Sequence, residues 1–160
     1  MMKIKKKQNH LKKIQFLFYI SAITLSLIIN LSNVAFASER LTVSVSEANI
    51  RSGPGTNYDI IWKVGKYYPI KVIKRTGAWY LFVDFEGDEG WIENTLVRKI
   101  PAVITIKEDV NIRSGPGTKF SVSFKAEKGV AFQVLKRKGN WIHVQHADGD
   151  RGWIYKSLVW

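Results

Sequence analysis

The chain has 160 residues, with 25 Lys and Arg against 13 Asp and Glu, a formal net charge of +12, and no cysteine. The lack of cysteine excludes disulfides, thiolate metal sites and a cysteine nucleophile. Aromatic residues make up 12% of the chain, which helps a small domain because each such side chain buries a large area.

The first 37 residues have the pattern of a secretory signal peptide. Residues 1–13 carry six Lys and no acidic residue, an apolar run follows from Phe16 to Ile29, and Ala35-Phe36-Ala37 ends the segment. This pattern predicts cleavage after Ala37. The alternative is an uncleaved membrane anchor, because Phe16 to Ala37 is long enough to span a bilayer. We therefore expect an exported protein, periplasmic or extracellular and wall-associated, which touches a membrane only through an uncleaved signal segment.

The remaining sequence is a tandem repeat. The octapeptide from Asn49 to Thr56 returns unchanged from Asn111 to Thr118, and aligning 41–98 on 103–160 at this spacing of 62 gives 22 identities in 58 positions. A fixed period of this kind indicates repeated structural units. We predict a first domain over 38–99, a linker over 100–102 and a second domain over 103–160.

Short strands punctuated by Gly and Pro fill each copy. Gly53-Pro54-Gly55-Thr56 predicts a type II turn, Glu86-Gly87-Asp88 predicts a hairpin, and Glu93 to Leu96 predicts one helical turn. The predicted strands are 41–45, 69–74, 79–85 and 90–92, and then 103–106, 130–136, 141–145 and 152–154. No stretch after Ser38 has a helical apolar stripe of sufficient length. The fold class is therefore all-β, with two tandem small barrels after the signal peptide.

Charge differs between the copies. Removal of 1–37 leaves 19 basic and 13 acidic residues, a net charge of +6, of which 103–160 holds +5 and 41–99 holds +1. In an exported chain this balance suits anionic wall polymers or simply solubility. Nucleic acid is a poor fit as a partner for a chain that leaves the cytoplasm.

The octapeptide, a Gly-x-Trp step at Trp79 and Trp141 and a closing Gly-Trp-Ile at 90–92 and 152–154 resemble the bacterial SH3-like domain family. The resemblance covers about 41–98 and 103–160. It implies an SH3-like barrel used as a targeting or ligand-binding module of the cell envelope, often attached to wall hydrolases. Some members bind stem or cross-bridge peptides of peptidoglycan.

One position departs from the family pattern. The family commonly has Gly after the Lys that precedes the central strand, as in Lys128-Gly129, whereas the first copy has Lys66-Tyr67-Tyr68. A tight turn is less expected there, and we expect both tyrosines at the surface.

Strand 79–83 differs from strand 141–145. His143 and Gln145 face away from the core side of their strand, while Leu81 and Val83 occupy the matching positions. A strand that is apolar on both faces either packs on both or exposes a patch. We favour Leu81 and Val83 as interface residues packed against the second copy, with a ligand patch as the alternative.

Aromatic side chains with two arginines are the best binding candidates, because flat rings suit extended peptides and sugar faces. Core packing is the favoured role for Trp91 and Trp153. Arg51 and Arg113 could bind a ligand carboxylate or hold the carbonyls of the turn, and the turn role is favoured. The candidate ligand-binding residues are Arg51, Tyr58, Trp62, Tyr67, Tyr68, Trp79, Arg113, Phe120, Phe124 and Trp141.

No pattern predicts catalysis, a cofactor or a metal. His143 and His146 are three apart on a strand and point to opposite faces, which opposes a shared zinc site with Asp148 and Asp150. No nucleophile, base and orienting group occur together. We therefore predict a non-enzymatic binding module for peptidoglycan peptide or glycan. The alternative is a protein-interaction or structural module for an envelope protein or for self-association, and the sequence leaves the oligomeric state open.

Overall fold

The structure, a computed structural model, describes residues 39–160. The predicted signal peptide and its cleavage site lie outside the described residues. The strands, numbered in chain order, are β1 Glu39–Val43, β2 Glu47–Arg51, β3 Ile60–Gly65, β4 Pro69–Thr76, β5 Trp79–Val83, β6 Glu89–Glu93, β7 Val97–Arg98, β8 Ala102–Ile104, β9 Val110–Arg113, β10 Val122–Ala126, β11 Ala131–Lys138, β12 Trp141–Gln145 and β13 Arg151–Tyr155, with short 3-10 helices at Asn94–Leu96 and Lys156–Leu158. Within this part of the chain we find no helix with the length and apolar character to cross a bilayer.

The first seven strands form one antiparallel sheet, the first barrel, in the order β3-β2-β6-β5-β4-β1-β7. Period-two alternation is clear in β2 of this barrel, where Ala48 and Ile50 are buried between more exposed neighbours. Its core consists of ten buried side chains: Leu41, Val43, Ala48, Ile50, Val64, Ile70, Val72, Phe82, Ile92 and Val97.

The second barrel repeats this plan in a six-stranded sheet, in the order β10-β9-β13-β12-β11-β8. A bridge between Thr105 and Val159 extends the β8 edge of this sheet, at the place where the first barrel has the β1–β7 pair. Its core consists of Val103, Val110, Ile112, Ala126, Phe132, Ile142, Val144 and Ile154. The prediction of an all-β protein with two tandem small barrels is confirmed.

The two tryptophans that were expected in the cores point elsewhere. Ile92 and Ile154 fill the cores, so their neighbours Trp91 and Trp153 lie on the opposite face of β6 and β13. Trp153 is nevertheless buried, at 8% exposure, because His143 stacks on its ring at 4.9 Å and Lys136 lies over it.

Tyr67 is buried, at 8% exposure, so the prediction that it lies at the surface is wrong. It has a φ of 70°, the left-handed conformation that its counterpart Gly129 has at 84°. The Tyr67 N–H donates to the carbonyl of Val43, and the Gly129 N–H donates to that of Thr105, both at 2.9 Å. The same tight turn therefore occurs in both copies, and the first copy forms it at the steric cost of a non-glycine residue.

The first barrel contacts both the linker and the second barrel. Thr42 in β1 donates its hydroxyl to the carbonyl of Ile100 at 2.6 Å. Lys128 of the second barrel forms an ion pair with Glu86 in the β5–β6 hairpin of the first and lies over the ring of Phe85. The linker and these contacts hold the barrels side by side.

Candidate functional site

The octapeptide loop of each copy is built around one aromatic ring. A Cβ atom on Gly53 would lie 2.2 Å from the ring of Tyr58, and one on Gly115 would lie 2.3 Å from the ring of Phe120. Gly53 is therefore required for close approach. Gly55 lacks a positive φ, and its N–H donates to the carbonyl of Gly53 at 3.0 Å, an i to i+2 bond that is typical of a γ-turn. The prediction of a type II turn here is wrong.

Arg51 and Arg113 fasten these loops. Nη1 of Arg51 donates to the carbonyls of Thr56 at 3.1 Å and Tyr58 at 2.7 Å. Nη1 of Arg113 donates to the carbonyl of Phe120 at 2.8 Å. A guanidinium has five N–H donors, and within residues 39–160 no recorded hydrogen bond uses Nη2 or Nε of either arginine. The structural role therefore leaves donors for a ligand.

A groove lies beside each loop, and the two grooves are lined by equivalent positions. The first groove is lined by Glu47, Ala48, Asn49, Arg51, Thr56, Trp79, Glu93 and Leu96. The second groove is lined by Glu108, Asp109, Val110, Asn111, Arg113, Thr118, Trp141, Tyr155 and Leu158. Addition of 62 converts every residue of the first list into one of the second. The octapeptide thus contributes an Asn, an Arg and a Thr to each groove.

The two grooves differ in size and in one facing residue. The second has a volume of about 500 Å³ and the first about 140 Å³. Trp141 pairs across the sheet with Tyr155, and their rings meet edge to face at 5.3 Å. Trp79 pairs instead with Glu93. The second groove falls within the range of roughly 300–1,000 Å³ that is typical of ligand sites, and its floor carries two aromatic rings.

Both grooves contain basic and acidic side chains. Arg113 of β9 lines the second groove together with Glu108 and Asp109, which precede the same strand. Lys125 pairs with Asp109 at 3.1 Å. A hydrogen bond with Glu108 is the main cause that raises the pKa of the neighbouring Glu127 carboxyl. The first groove keeps the same polarity, with Arg51 and Glu47 among its lining residues.

The structure brings four of the predicted ligand-binding residues to the grooves, namely Arg51, Trp79, Arg113 and Trp141. Trp62 packs on the first core, edge to face with Phe82, and Phe124 packs on the second core. Tyr58 and Phe120 are 42% and 40% exposed, on the octapeptide loops. The groove residues that sequence reasoning missed include Asn49, Thr56 and Leu96 with their counterparts Asn111, Thr118 and Leu158. These residues are identical in the two copies, and this identity is the sequence feature that indicates them.

Tyr68 is tied to a buried carboxylate outside the grooves. Its hydroxyl donates to Oδ2 of Asp84 at 2.8 Å, and Oδ1 of Asp84 accepts the N–H groups of Glu86 and Asp88. Burial first, and then the hydrogen bond to Asp84, raise the pKa of the Tyr68 phenol. The contact organises the β5–β6 hairpin.

The two histidines have separate surroundings. Burial first, and then the charges of Lys136 and Arg151, lower the pKa of His143. His146 lies 2.8 Å from the Asp148 carboxylate, in the β12–β13 hairpin.

Leu81 and Val83 are half-buried on β5. Leu81 pairs with Trp91 and Lys74, and Val83 pairs with Glu89 and Lys71. These neighbours all belong to the first barrel, and the contacts between barrels described above run through other residues.

Comparison with known proteins places the repeat in a family. The model of the bacterial SH3 domain matches residues 44–99 and 107–160. The chain belongs to the bacterial SH3 domain family. The assignment accounts for both copies, and the grooves are therefore a feature of two bacterial SH3 domains in tandem.

The similar curated proteins are named as wall amidases. The chain is 29% identical over 161 residues to "Putative N-acetylmuramoyl-L-alanine amidase YrvJ" of Bacillus subtilis, an alignment that covers 92% of this chain and 30% of the relative. It is 46% identical over 52 residues to "Probable cell wall amidase LytH" of Staphylococcus epidermidis, covering 32% of this chain and 18% of the relative. The chain thus spans less than a third of the length of either relative.

Two solved structures align with the chain at low similarity. An NlpC/P60 family protein from Bacillus cereus aligns over 76% of this chain and 56% of its own, with a TM-score of 0.37 and 13% identity. NlpC2 from Trichomonas vaginalis aligns over 78% of this chain and 48% of its own, with a TM-score of 0.35 and 11% identity.

The prediction of a non-enzymatic protein is contradicted by these comparisons. Relatives of this chain are named as amidases. Sequence reasoning looked only for catalytic residues within the repeat. That search does not bear on the activity with which such repeats occur, so the prediction is withdrawn.

Proposed function

We propose that the two bacterial SH3 domains form a cell-wall-binding module that recognises peptidoglycan through the groove beside each octapeptide loop. The observation that carries the proposal is the match between the grooves, in which equivalent positions place an arginine, a tryptophan and an asparagine around a cleft in both copies. The shared turn explains the glycines and the proline of the octapeptide. It does not explain the tryptophan that another strand brings to each groove, whereas a shared binding site does.

The chemistry of the groove suits a short peptide that has both carboxyl and amino groups. The free Nη2 and Nε donors of Arg113 form the planar fork that binds a carboxylate through two hydrogen bonds. Glu108 and Asp109, which line the same groove, attract an ammonium group. Trp141 and Tyr155 add flat apolar area to the groove. Stem and cross-bridge peptides of peptidoglycan present such groups, so we favour the peptide over the glycan as the ligand.

The second groove should contribute more of the affinity, because it is larger and has two aromatic rings where the first has one. The repeat supplies a matched pair of variants, Trp141→Ala and Trp79→Ala. Each removes the same side chain from an equivalent position. Leu135→Ala is the control, because Leu135 is 38% exposed on β11 and lies outside both grooves.

Co-sedimentation of the full chain with protein-free sacculi, in a neutral detergent, tests the proposal. Trp141→Ala should weaken binding about tenfold or more, as expected for an aromatic residue at the centre of a site. Trp79→Ala should weaken it less, and Leu135→Ala should leave it unchanged. Unchanged binding by both tryptophan variants, with the folded state verified by circular dichroism, would rule out the grooves as the site.

The relatives' names also make wall hydrolysis the activity to test. We propose that the module holds an amidase-type hydrolase at its substrate, which keeps the local substrate concentration high. Release of soluble peptide from sacculi by the full chain, after removal of contaminating enzymes, would support an activity in this protein. No release together with stimulation of a separate wall amidase would support the delivery role instead.

Exposed apolar side chains on the first barrel favour a second candidate, contact with an envelope protein or another copy. Ile60 is 47% exposed and Ile73 is 36% exposed, and cross-strand pairing through Arg51 and Trp91 connects Ile60 to Leu81. Leu81→Ser should then lower the mass measured by light scattering. A wild-type monomer under the same conditions would remove the self-association form of this candidate.

A further inference from the structure

A second kind of cleft lies at the junction of the two barrels, apart from both grooves. It has a volume of about 270 Å³. The residues that line it come from β1 and β4 of the first barrel, the linker with Lys99 before it, and the second barrel: Arg40, Leu41, Thr42, Pro69, Lys99, Ile100, Pro101, Ala102 and Arg137. The lining therefore contains three cationic side chains and no acidic one.

Two of the cations are placed by the junction itself. The guanidinium of Arg40, in the first barrel, lies 3.7 Å from the ring centroid of Trp160, in the second. Stacking on a ring orients the guanidinium plane and leaves its N–H edge free to donate. Lys99, directly before the linker, is 84% exposed and lies 3.8 Å from the Glu39 carboxylate, a weak pair at such exposure.

The third cation, Arg137, lacks the acidic partner that its counterpart in the first barrel has. In the first barrel Arg75 forms an ion pair with Glu39. The equivalent positions in the second barrel are Arg137 and Pro101, which both line the cleft. Pro101 has no carboxylate, and within residues 39–160 no ion pair to Arg137 is recorded. The second barrel therefore has the arginine without the acidic residue.

Arg40 also belongs to a like-charge pair, which adds to the excess of positive charge. Arg40 lies directly opposite Lys71 across the β1–β4 pair, and like charges in that arrangement destabilise a sheet. The equivalent pair in the second barrel is Ala102 and Gln133, which carries no charge. The positive charge is therefore concentrated at the junction, where a bound anion would relieve the repulsion.

We propose that the junction cleft binds the phosphate group of an anionic phosphodiester. Two guanidinium forks and an ammonium match the several oxygens and the charge of a phosphate group better than a single carboxylate. The volume is just below the roughly 300 Å³ at which small-molecule sites begin, which fits one phosphate with its neighbouring atoms. The site is separate from the peptide grooves, so the two proposals can fail independently.

Isothermal titration of the full chain in neutral detergent tests this site with three phosphate sources: inorganic phosphate, a poly(glycerol phosphate) oligomer, and phosphatidylglycerol in mixed micelles. The test variant is the double substitution Arg40→Gln with Arg137→Gln. The matched control is Lys74→Gln with Lys138→Gln, because these exposed lysines line no cleft described here and their removal lowers the net charge equally.

The proposal predicts that the junction variant binds at least one source about tenfold more weakly, while the control changes binding less than twofold. A difference with the polymer or with the micelles identifies which phosphodiester is bound, and a difference with inorganic phosphate alone would contradict a phosphodiester ligand. Equal losses in the two variants would show general electrostatic attraction and overturn the site, as would no binding of any source. Arg137→Gln alone, which leaves the Arg40–Trp160 stack in place, separates loss of ligand binding from loosening of the junction.

Discussion

Gly53→Ala should destabilise the first barrel through one specific collision. The new Cβ would lie 2.2–2.5 Å from three ring carbons of Tyr58, where ordinary contacts are 3.4–4 Å. The ring must therefore move by about 1 Å, since repulsion is steep at shorter range. Overpacking of this kind costs about 1–3 kcal/mol, and we expect about 2 kcal/mol. Because the Tyr58 carbonyl accepts a hydrogen bond from Arg51, the movement should also disturb the first groove.

Native-state hydrogen exchange measures this cost barrel by barrel, because core amides report the free energy of unfolding of their own unit. Core amides of the first barrel should lose about 2 kcal/mol of protection, and those of the second barrel serve as the internal control. A double-mutant cycle with Tyr58→Ala isolates the collision. If Gly53→Ala costs the same with and without the Tyr58 ring, the close-approach account of this glycine is wrong.

Two further predictions concern titratable side chains. Tyr68→Phe removes the hydrogen bond to the buried Asp84 carboxylate and should lower stability by about 1.5–3 kcal/mol, measured by chemical denaturation at pH 7. Because the folded-state pKa of Tyr68 is raised from 10.0, its contribution is present below that pH and should be lost as the pH rises above it; an alkaline stability profile that is identical in the variant would contradict this. The pKa of His143, measured by NMR, should lie below the usual imidazole value of 6.5, and Lys136→Gln should raise this pKa by removing a nearby positive charge. An unchanged pKa in the variant would show that the Lys136 charge does not lower it.

The fold was predictable because the repeat and the alternation of apolar residues act locally. Residues such as Ile142 and Val144 are buried where period two places them. The octapeptide turn was harder, since glycine serves both positive φ and close approach. The turn prediction needs a positive φ at Gly55, which the structure does not show. The glycine that the loop requires is Gly53, because the Tyr58 ring lies against it.

Tyr67 is a second position at which local sequence does not predict the backbone conformation. Its left-handed φ is imposed by the strand connection that Gly129 satisfies in the second copy. Propensity predicts against such a conformation for tyrosine, so no local reading of Lys66-Tyr67-Tyr68 could place the ring inside.

The site was predictable in part. Arginine and tryptophan were chosen for their chemistry, and Arg113 and Trp141 do line a groove. Asn111 and Thr118 were passed over because they were attributed to the turn alone. The junction cleft depends on the packing of two barrels, which single-strand patterns do not contain.

The salt dependence of binding to purified sacculi tests the central claim most directly. The full chain would be sedimented with protein-free peptidoglycan from low to high ionic strength, together with Trp141→Ala. A shaped groove with aromatic contacts predicts binding that persists at high salt and is lost in the variant. Binding that disappears with salt to the same extent in both proteins would show that the excess positive charge alone attracts the wall, and would contradict the account.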